Sequence, residues 1–490
     1  MKVKNLQPKS INTSIYANTL WQVLPILIGL ISVPYSIKFY DLELFSIYAL
    51  SIGFIVGLNY LHFGVATNTN RDLSQLKNNE FQEKSKIFWS AFIAMIGISI
   101  ILMILLYIIL PIYIENINAS KDIKLISNSF FKLVILQIPI VLINILFRSV
   151  LESEMQFTIT SSNRAILNSM LLVSPLITGF LGLNFLIIAI FLLVFHLFSL
   201  LYLSSNLISY LTLPLPEFKK NYFIKIIKSG SSLTLISLGM LVFLYSDRFI
   251  LSVVADMKEV ALFIVPLDIL MRISFIYGSI GAVFFPIFSK TLAQKDPLKF
   301  LSLYNKSYFL IFSLVGLIIC FLVLFSSELL SLWLGSDFDS HELSIIIAIA
   351  IMFTGLTVIP GRALISLKKE KMLGIFYLAG SLLYIPSSYL LINTYGVNGA
   401  AYAFLSRSII ELFVLNILVA YSMKKIFVER TVKYVKLSLY SFLPLIFFFI
   451  AFLSNIDVLY KILILFLVMI IACSIIYKIF KSLDSLKINT

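Results

Sequence analysis

The sequence predicts an all-α integral membrane protein with fourteen transmembrane helices. Hydrophobic residues make up 60% of the 490 positions, only 13% are charged, and the mean hydropathy is +1.00. A chain of this composition has too little polar surface to cover a water-soluble globule. Apolar stretches of about 20 residues, the length that crosses a hydrocarbon core about 30 Å thick, recur along the whole chain.

The predicted spans follow one another with short connections. In order they are 14–36, 44–66, 87–114, 128–150, 163–183, 184–208, 228–255, 260–287, 302–326, 343–366, 372–393, 396–421, 433–454 and 459–480. The first span follows the basic segment "MKVKNLQPKS" and lacks a small-residue cleavage site, so we expect it to be retained as a helix.

Lysine and arginine are distributed unevenly between the two sides of the predicted membrane. With the N-terminus inside, 29 of the 38 basic residues fall on inner segments and six on outer ones. Because basic residues accumulate in cytoplasmic loops, this asymmetry predicts that both termini are cytoplasmic. The net charge of +14 then holds the inner loops against anionic lipid, and no nucleic-acid partner is expected.

Several kinds of chemistry are not expected from this chain. The two cysteines, Cys320 and Cys473, fall inside predicted spans, which argues against a disulfide framework or thiol chemistry. The sequence contains no G-x-x-x-x-G-K-[ST] motif, and its loops leave no room for a soluble nucleotide-binding domain. We therefore expect no ATP hydrolysis, no cofactor and no metal site.

Two pairs of short motifs recur at nearly the same offset. Asp41 and Asp256 precede the second and eighth spans, 215 residues apart, while Gly182 and Gly396 open the sixth and twelfth, 214 residues apart. The offsets predict two parallel repeats related by an axis along the membrane normal. The predicted domains are a six-helix lobe at 1–211, a second at 212–430, and two additional helices with a cytoplasmic tail at 431–490.

Ionisable residues at membrane depth are the candidate functional residues. An arginine at the centre of a spanning helix costs about 2.5–3.5 kcal/mol on insertion scales, so it normally faces a protein interior or a wet cavity. The candidate substrate-binding cations are Arg248, Arg272 and Arg407 at this depth, and Arg148 at the inner end of the fourth span. The candidates for ion coupling or for pairing are Asp247, Asp268, Glu411 and His196.

Structural roles remain open for the same residues. Arg407 and Glu411, four residues apart on one helix, are placed to neutralise each other, as are Asp268 and Arg272. Asp247 paired with Arg272 would lock the seventh and eighth helices together. His196 alone is more often a hydrogen-bonded interior residue than a proton carrier.

The first half of the chain offers amides in place of charges. They are Asn18, Gln22, Asn59, Gln137 and Asn168. Amides hydrogen-bond to sugar hydroxyls, and a guanidinium binds phosphate oxygens with two parallel hydrogen bonds. A cavity with amides on one wall and arginines on the other therefore suits a ligand that carries both hydroxyls and phosphates.

Motifs spread over essentially the whole chain resemble those of Wzx-type polysaccharide flippases. They are "NTLWQVLPILIGLISVPYSIKFYDLELFSIYALS" near the start, "SDRFILSVVADMKEVALFIVPLDILMRI", "FFPIFSK", "LWLGSDF" and "YGVNGAAYAF". With fourteen predicted helices, they identify the chain as similar to members of the multidrug/oligosaccharidyl-lipid/polysaccharide exporter superfamily. One departure is the first outer turn, where this chain has "FYDLELF" and relatives often carry glycine.

The resemblance implies two six-helix lobes in a V around a cationic central cavity. The implied substrate is an undecaprenyl-diphosphate-linked oligosaccharide repeat unit, moved from the inner to the outer leaflet of the bacterial inner membrane by a proton or sodium gradient. A polysaccharide polymerase would be a partner. In this interpretation Arg248, Arg272 and Arg407 bind diphosphate or acidic sugars, and Asp247, Asp268 and Glu411 are coupling candidates.

Other functions remain open at this point. A cation-coupled multidrug exporter of the same superfamily would have an acidic cavity and usually twelve helices. A peptidoglycan-precursor flippase would differ only in its substrate. A membrane enzyme such as a glycan polymerase or ligase would need catalytic residues on a sizeable outer loop, whereas the longest predicted outer loop is "SSELLSLWLGSDFDSHELS". We therefore expect no enzymatic activity.

Overall fold

The structure is a computed structural model in which every regular element of the described residues is helical. It describes residues 11–76, 80–208, 231–294, 296–335, 338, 340–426, 446–452 and 456–484. The first eight α-helices are α1 (Ile11–Gly57), α2 (Val65–Ser74), α3 (Phe81–Asn116), α4 (Lys121–Ile135), α5 (Ile138–Ser153), α6 (Phe157–Phe180), α7 (Leu186–Asn206) and α8 (Ser231–Val254). They are followed by α9 (Met257–Leu270), α10 (Ser274–Ala293), α11 (Pro297–Leu324), α12 (Ser326–Leu334), α13 (His341–Ser366), α14 (Glu370–Ile426), α15 (Ile446–Phe452) and α16 (Val458–Asp484).

Ten helical segments of the described residues are long and apolar enough to cross a membrane. Two of them, Val23–Tyr60 and Glu370–Met423, have 38 and 54 residues, far more than a hydrocarbon core about 30 Å thick requires at 1.5 Å per residue. Each contains a residue with non-helical backbone angles that divides it into two helices. The predicted span at 433–454 lies mostly outside the described residues. The multi-pass helical architecture is confirmed, and the count of fourteen stays a prediction.

The residues that divide these segments have positive φ. Asp41 has φ 56° and ψ 178°, a conformation that glycine adopts far more readily. Its carboxylate accepts hydrogen bonds from the backbone N–H groups of Glu43 and Leu44, at 2.9 and 3.1 Å, and so caps the helix that follows. The turn between the first two predicted spans can therefore form without a glycine. Gly182 and Gly396, which the repeat pairs with each other, have φ of 61° and 57°.

The exposed face of α3 is apolar, which indicates that this part of the protein is surrounded by lipid. Ile101, Ile104, Ile108 and Ile112 lie at intervals of three or four residues, and all four are at least half exposed. This spacing places them on one face of the helix. A continuous exposed apolar face is unfavourable in water but is the normal surface of a helix in contact with lipid.

The chain divides into two compact units. The first contains the described residues of Met1–Ala261 together with Gly374–Leu383, and the second contains those of Leu262–Leu373 and Tyr384–Thr490. The first unit therefore includes α8, which the predicted boundary at residue 211 assigns to the second lobe. The lobes are defined by the internal repeat, and their boundaries stay a prediction.

In the first unit, α1 packs along α6, and polar side chains join the two helices. The Tyr40 hydroxyl donates a hydrogen bond to Thr178 Oγ1 at 2.7 Å, and the Tyr48 hydroxyl donates one to the Leu171 carbonyl at 2.7 Å. Buried hydroxyls need such partners, because an unsatisfied polar group in an apolar interior costs about 1–3 kcal/mol. These bonds hold the chain on both sides of Asp41 against α6.

In the second unit, α11 packs against α13 and α16. The buried Tyr304 hydroxyl donates a hydrogen bond to Asn416 Oδ1 on α14 at 2.6 Å. At the other end of α11, Glu328 on the short helix α12 pairs with Lys461 on α16 at 2.5 Å. The last described helix is thereby tied to the rest of its unit.

Two predicted spans are interrupted where continuous helices were expected. The span at 128–150 breaks between α4 and α5, because Pro139 near the start of α5 has no backbone N–H to continue the hydrogen-bonding ladder. The span at 260–287 breaks at a 3₁₀-helix, Met271–Ile273, between α9 and α10. The first break contains Gln137 and the second contains Arg272.

Candidate functional site

The adjacent charges Asp247 and Arg248 on α8 are both buried in the first unit, at 2% and 4% exposure. The guanidinium carbon of Arg248 lies 5.3 Å from the ring centre of Tyr245, within cation–π distance. A Cβ atom added at Gly53 of α1 would lie 3.2 Å from Arg248 Nη1, so the two helices approach closely here. The charged pair thus faces protein and not lipid.

Two glycines on α1 allow α1 and α8 to pack this closely. Gly53 and Gly57 are four residues apart, and a Cβ at Gly57 would lie 3.0 Å from Leu241 and 3.8 Å from Tyr245. One turn further, the Tyr60 and Tyr245 ring centres are 6.3 Å apart. Sequence reasoning missed these residues, although small residues four apart are the pattern that allows membrane helices to pack closely. The signal was present as "GFIVG" in the second predicted span.

Arg148 on α5 is the second buried cation of this unit, at 9% exposure. Its Nη2 lies 3.5 Å from Asn59 Oδ1, a long contact for a hydrogen bond. Glu152, four residues later, pairs instead with Arg164 at 3.1 Å. Within the described part of the chain, no carboxylate oxygen lies within 4 Å of the Arg148 guanidinium. A buried guanidinium in this setting favours an anionic ligand.

The two arginines border the same stretch of the first unit. Arg248 lies against Gly53, and Arg148 lies against Asn59, six residues along the chain. Asn59 belongs to a 3₁₀-helix, Leu58–Tyr60, that directly follows α1. At 1.5 Å per α-helical residue and about 2 Å per 3₁₀ residue, the two contact points are about 10 Å apart along the helix axis. The structure therefore brings two of the four predicted cations, and the predicted amide Asn59, to one segment.

Arg407 and Glu411 form a buried ion pair in the second unit. Both are on α14, at 5% and 3% exposure, and Arg407 Nη1 lies 3.6 Å from Glu411 Oε2. The Arg407 guanidinium carbon also lies 4.7 Å from the ring centre of Phe404 and 5.8 Å from that of Tyr384. The acid and base that the sequence places four apart are in contact, so substrate binding by Arg407 would compete with this pair.

Asp268 and Arg272, also in the second unit, lie at the break between α9 and α10. Both are partly exposed. The continuous helix expected here is interrupted by the 3₁₀-helix at Met271–Ile273, which contains Arg272, while Asp268 lies on α9. Their proposed pairing stays a prediction.

His196 and Gln137 have packing contacts in the first unit. His196 is buried, and its Nδ1 lies 2.7 Å from the Leu192 carbonyl, so this nitrogen donates to that oxygen. The Asn144 amide in turn donates to the His196 carbonyl at 3.1 Å. Gln137, fully buried at the break between α4 and α5, donates to the Ala189 carbonyl of α7 at 3.1 Å. These bonds connect α5 and α7.

The other three predicted amides are Asn168, Asn18 and Gln22, and the structure gives no hydrogen-bond partner for the Asn168 side chain among the described residues. Asn168 is half-buried on α6. The side chains of Asn18 and Gln22 lie outside the described part of α1. Their proposed place in a substrate cavity stays a prediction.

Comparisons with known proteins indicate a connection with polysaccharides. Residues 12–292 match a family model described as a polysaccharide biosynthesis protein. A protein of Shigella flexneri provisionally named an O-antigen transporter is 25% identical over 418 residues, which are 82% of this chain and 97% of that protein.

Solved structures of similar fold come from two kinds of transporter. An inward-facing multidrug resistance MATE family transporter of the MOP superfamily has a TM-score of 0.71 and 12% identity, over 85% of this chain and 99% of its own. The lipid II flippase MurJ, in an inward closed conformation, has a TM-score of 0.68 and 18% identity, over 95% and 99%. At these identities the likeness shows a shared fold.

Proposed function

The chain belongs to the polysaccharide biosynthesis protein family, and from this premise we propose that it is a flippase for an undecaprenyl-diphosphate-linked oligosaccharide repeat unit. It moves the repeat unit from the inner to the outer leaflet of the bacterial cytoplasmic membrane by alternating access, for the synthesis of surface polysaccharide. The Shigella relative provisionally named an O-antigen transporter supports this choice of substrate class.

The observation that carries the proposal is the pair of buried arginines on one segment of the first unit. Arg148 and Arg248 are each at least 91% buried and lie against Asn59 and Gly53. Burying a guanidinium is costly, and a doubly charged diphosphate recovers that cost because its oxygens match the planar N–H donors. Asn59 adds an amide beside Arg148, where it can accept from or donate to a sugar hydroxyl.

The charged residues of the second unit are proposed to take part in coupling. Protonation of Glu411, or binding of a sodium ion to it, would remove its attraction for Arg407 and leave that guanidinium available to the substrate. Asp268 and Asp247 are the other coupling candidates, and Arg272 is a further candidate cation. The coupling ion is a proton or sodium.

The larger arrangement is part of the same proposal. It comprises lobes at 1–211 and 212–430 in a V around a central cavity, two further helices within 431–490, and both termini in the cytoplasm. A polysaccharide polymerase is the proposed protein partner.

The chemistry of the buried charges favours a lipid-linked glycan over a cationic drug. MATE and MurJ structures have nearly the same likeness to this chain, so the fold does not separate a drug exporter from a lipid flippase. Arg148, in contrast, would repel a cation, and within the described residues no carboxylate oxygen lies within 4 Å of its guanidinium. A peptidoglycan-precursor flippase would share this preference for a diphosphate and differs in the sugar.

Deletion of the gene tests the proposal. We expect a diphosphate-linked repeat unit to accumulate on the inner leaflet, measured by extraction and mass spectrometry, with its leaflet probed by reagents added from outside. Complementation with Arg148→Ala or Arg248→Ala should fail although the variant still inserts. Unchanged lipid intermediates together with altered sensitivity to toxic compounds would instead identify a drug exporter.

A further inference from the structure

An apolar groove runs between α6 and α7 on the first compact unit. Its volume is about 560 Å³, within the range of about 300–1,000 Å³ typical of ligand sites. Ile166 and Met170 line it from α6, and Val194 and Phe198 line it from α7. These four side chains are 39–68% exposed, so the groove opens away from the helix bundle and not into its interior.

The buried part of the groove has one polar pair. Asn163 and Ser199 are each 4% exposed, and the Asn163 amide donates to Ser199 Oγ at 2.9 Å. Because these side chains are hydrogen-bonded to each other, the groove offers little to a polar ligand and much to a hydrocarbon chain. A groove that opens into a bilayer meets lipid chains and excludes water.

The place of the groove along the helices restricts which part of a lipid it can hold. From Asn163 to Met170 it extends about 10 Å along α6, about a third of the hydrocarbon core. In the predicted orientation these residues lie in the inner-leaflet half of the membrane. Arg164, with an exposed side chain, follows Asn163 at the inner end, near the level of lipid phosphates. The groove thus matches the chain segment next to a phosphate head group.

We propose that this groove holds the first isoprene units of the polyprenyl chain of the substrate. The inference rests on the proposed function, because it assigns the chain of the same lipid whose diphosphate binds in the interior. Branched isoprene units are complementary to walls of branched and aromatic side chains, and the groove is too short for a whole polyprenyl chain. The rest of the chain stays in the bilayer while the head group crosses.

Cross-linking from within the groove identifies its occupant. A photoreactive benzoylphenylalanine at Phe198 is compared with the same residue at Leu201, which is also 66% exposed on α7 but does not line the groove. The full-length protein is irradiated in cells that make the repeat unit, and the adducts are analysed by mass spectrometry. We expect polyprenyl diphosphate adducts at position 198 and not at 201. Only phospholipid adducts, or cross-links to a second protein chain, would overturn the proposal.

Filling the groove tests whether the chain contributes to transport. Val194→Trp is compared with Leu201→Trp in liposomes, with the repeat unit purified from the deletion strain and with the same glycan diphosphate carrying a methyl group in place of the polyprenyl chain. We expect Val194→Trp to raise the half-saturating concentration of the long-chain substrate about tenfold and to leave the methyl substrate unchanged. Equal effects on both substrates, or none, would refute the groove assignment.

The two assays separate this inference from the proposed function. If wild-type protein moves neither substrate, the proposed function fails. If it moves both substrates equally well with and without Val194→Trp, the function stands and the groove has no part in it.

Discussion

Replacing Arg148 by methionine separates a functional arginine from a structural one. Arg148 is 9% exposed, and its Nη2 lies 3.5 Å from Asn59 Oδ1. An arginine at the centre of a membrane helix costs about 2.5–3.5 kcal/mol, which is an upper bound for Arg148 near the end of α5. Methionine of similar length removes this cost and fills the same space. We therefore expect the free energy of unfolding of Arg148→Met to be unchanged or raised, by at most about 3 kcal/mol.

Transport by the same variant should fall sharply. A hydrogen bond to a charged group contributes about 1.5–3 kcal/mol, so losing the contact with a diphosphate corresponds to about a 10- to 150-fold loss of affinity. Unfolding is measured on purified protein in detergent and transport on the same preparation in liposomes. Arg148→Lys, which keeps the charge but not the planar donors, should lie between wild type and Arg148→Met in transport.

The matched control is Arg164→Met. Arg164 lies in the same unit but is exposed and paired with Glu152, and an exposed pair contributes about 0–1 kcal/mol. We expect little change in either assay. The reasoning is refuted if Arg148→Met unfolds more easily than wild type, because Arg148 would then be structural, or if it transports the repeat unit normally.

Two further predictions test the helix contact and the ion pair of the second unit. Gly53→Leu should lower transport and cost about 1–3 kcal/mol of stability, since its Cβ would lie 3.2 Å from Arg248 Nη1. Gly97→Leu should do neither, because a Cβ there has no contact within 4 Å outside its own stretch of helix among the described residues. Equal losses in both would contradict a special role for Gly53. Burial opposes ionisation of Glu328 and is the largest single influence on its pKa. The hydrogen bond from Lys461, a backbone hydrogen bond and the charge of Lys461 together outweigh it and hold the pKa of Glu328 below its usual value of about 4.3. Because the folded pKa is the lower one, the pair stabilises the protein above the unfolded pKa and ceases to do so as the pH falls through the folded pKa. The Tm of wild type should therefore approach that of Glu328→Gln as the pH falls through the folded pKa, and a constant difference at all pH values would show that the pair is not the cause.

Much of the architecture could be predicted from hydropathy and charge. The apolar stretches predicted helices, which the structure contains, and the family resemblance drawn from motifs such as "SDRFILSVVADMKEVALFIVPLDILMRI" is confirmed by the family match. The predicted repeat pairs Gly182 with Gly396, and in the structure both residues have positive φ. Local sequence suffices in these cases, because the bilayer itself requires long apolar helices joined by short turns.

Helix continuity was predicted less well, because it depends on single residues. Pro139 interrupts the fourth predicted span although the hydropathy is continuous across it. The left-handed turn at Asp41 forms in the absence of glycine because the carboxylate of Asp41 caps the next helix. Hydropathy averages over such residues and does not register them.

The sequence by itself determined that this is a multi-pass helical membrane protein of a polysaccharide-associated family. It also singled out four arginines, of which the structure buries Arg148, Arg248 and Arg407 and leaves Arg272 partly exposed. Only the tertiary structure decided which partners they have. Arg407 lies against Glu411, whereas Arg148 lies against Asn59 while the nearby Glu152 pairs with Arg164. The reason is physical: hydropathy is a sum over neighbours along the chain, whereas the cost of a buried charge depends on the few atoms around it, which come from other helices.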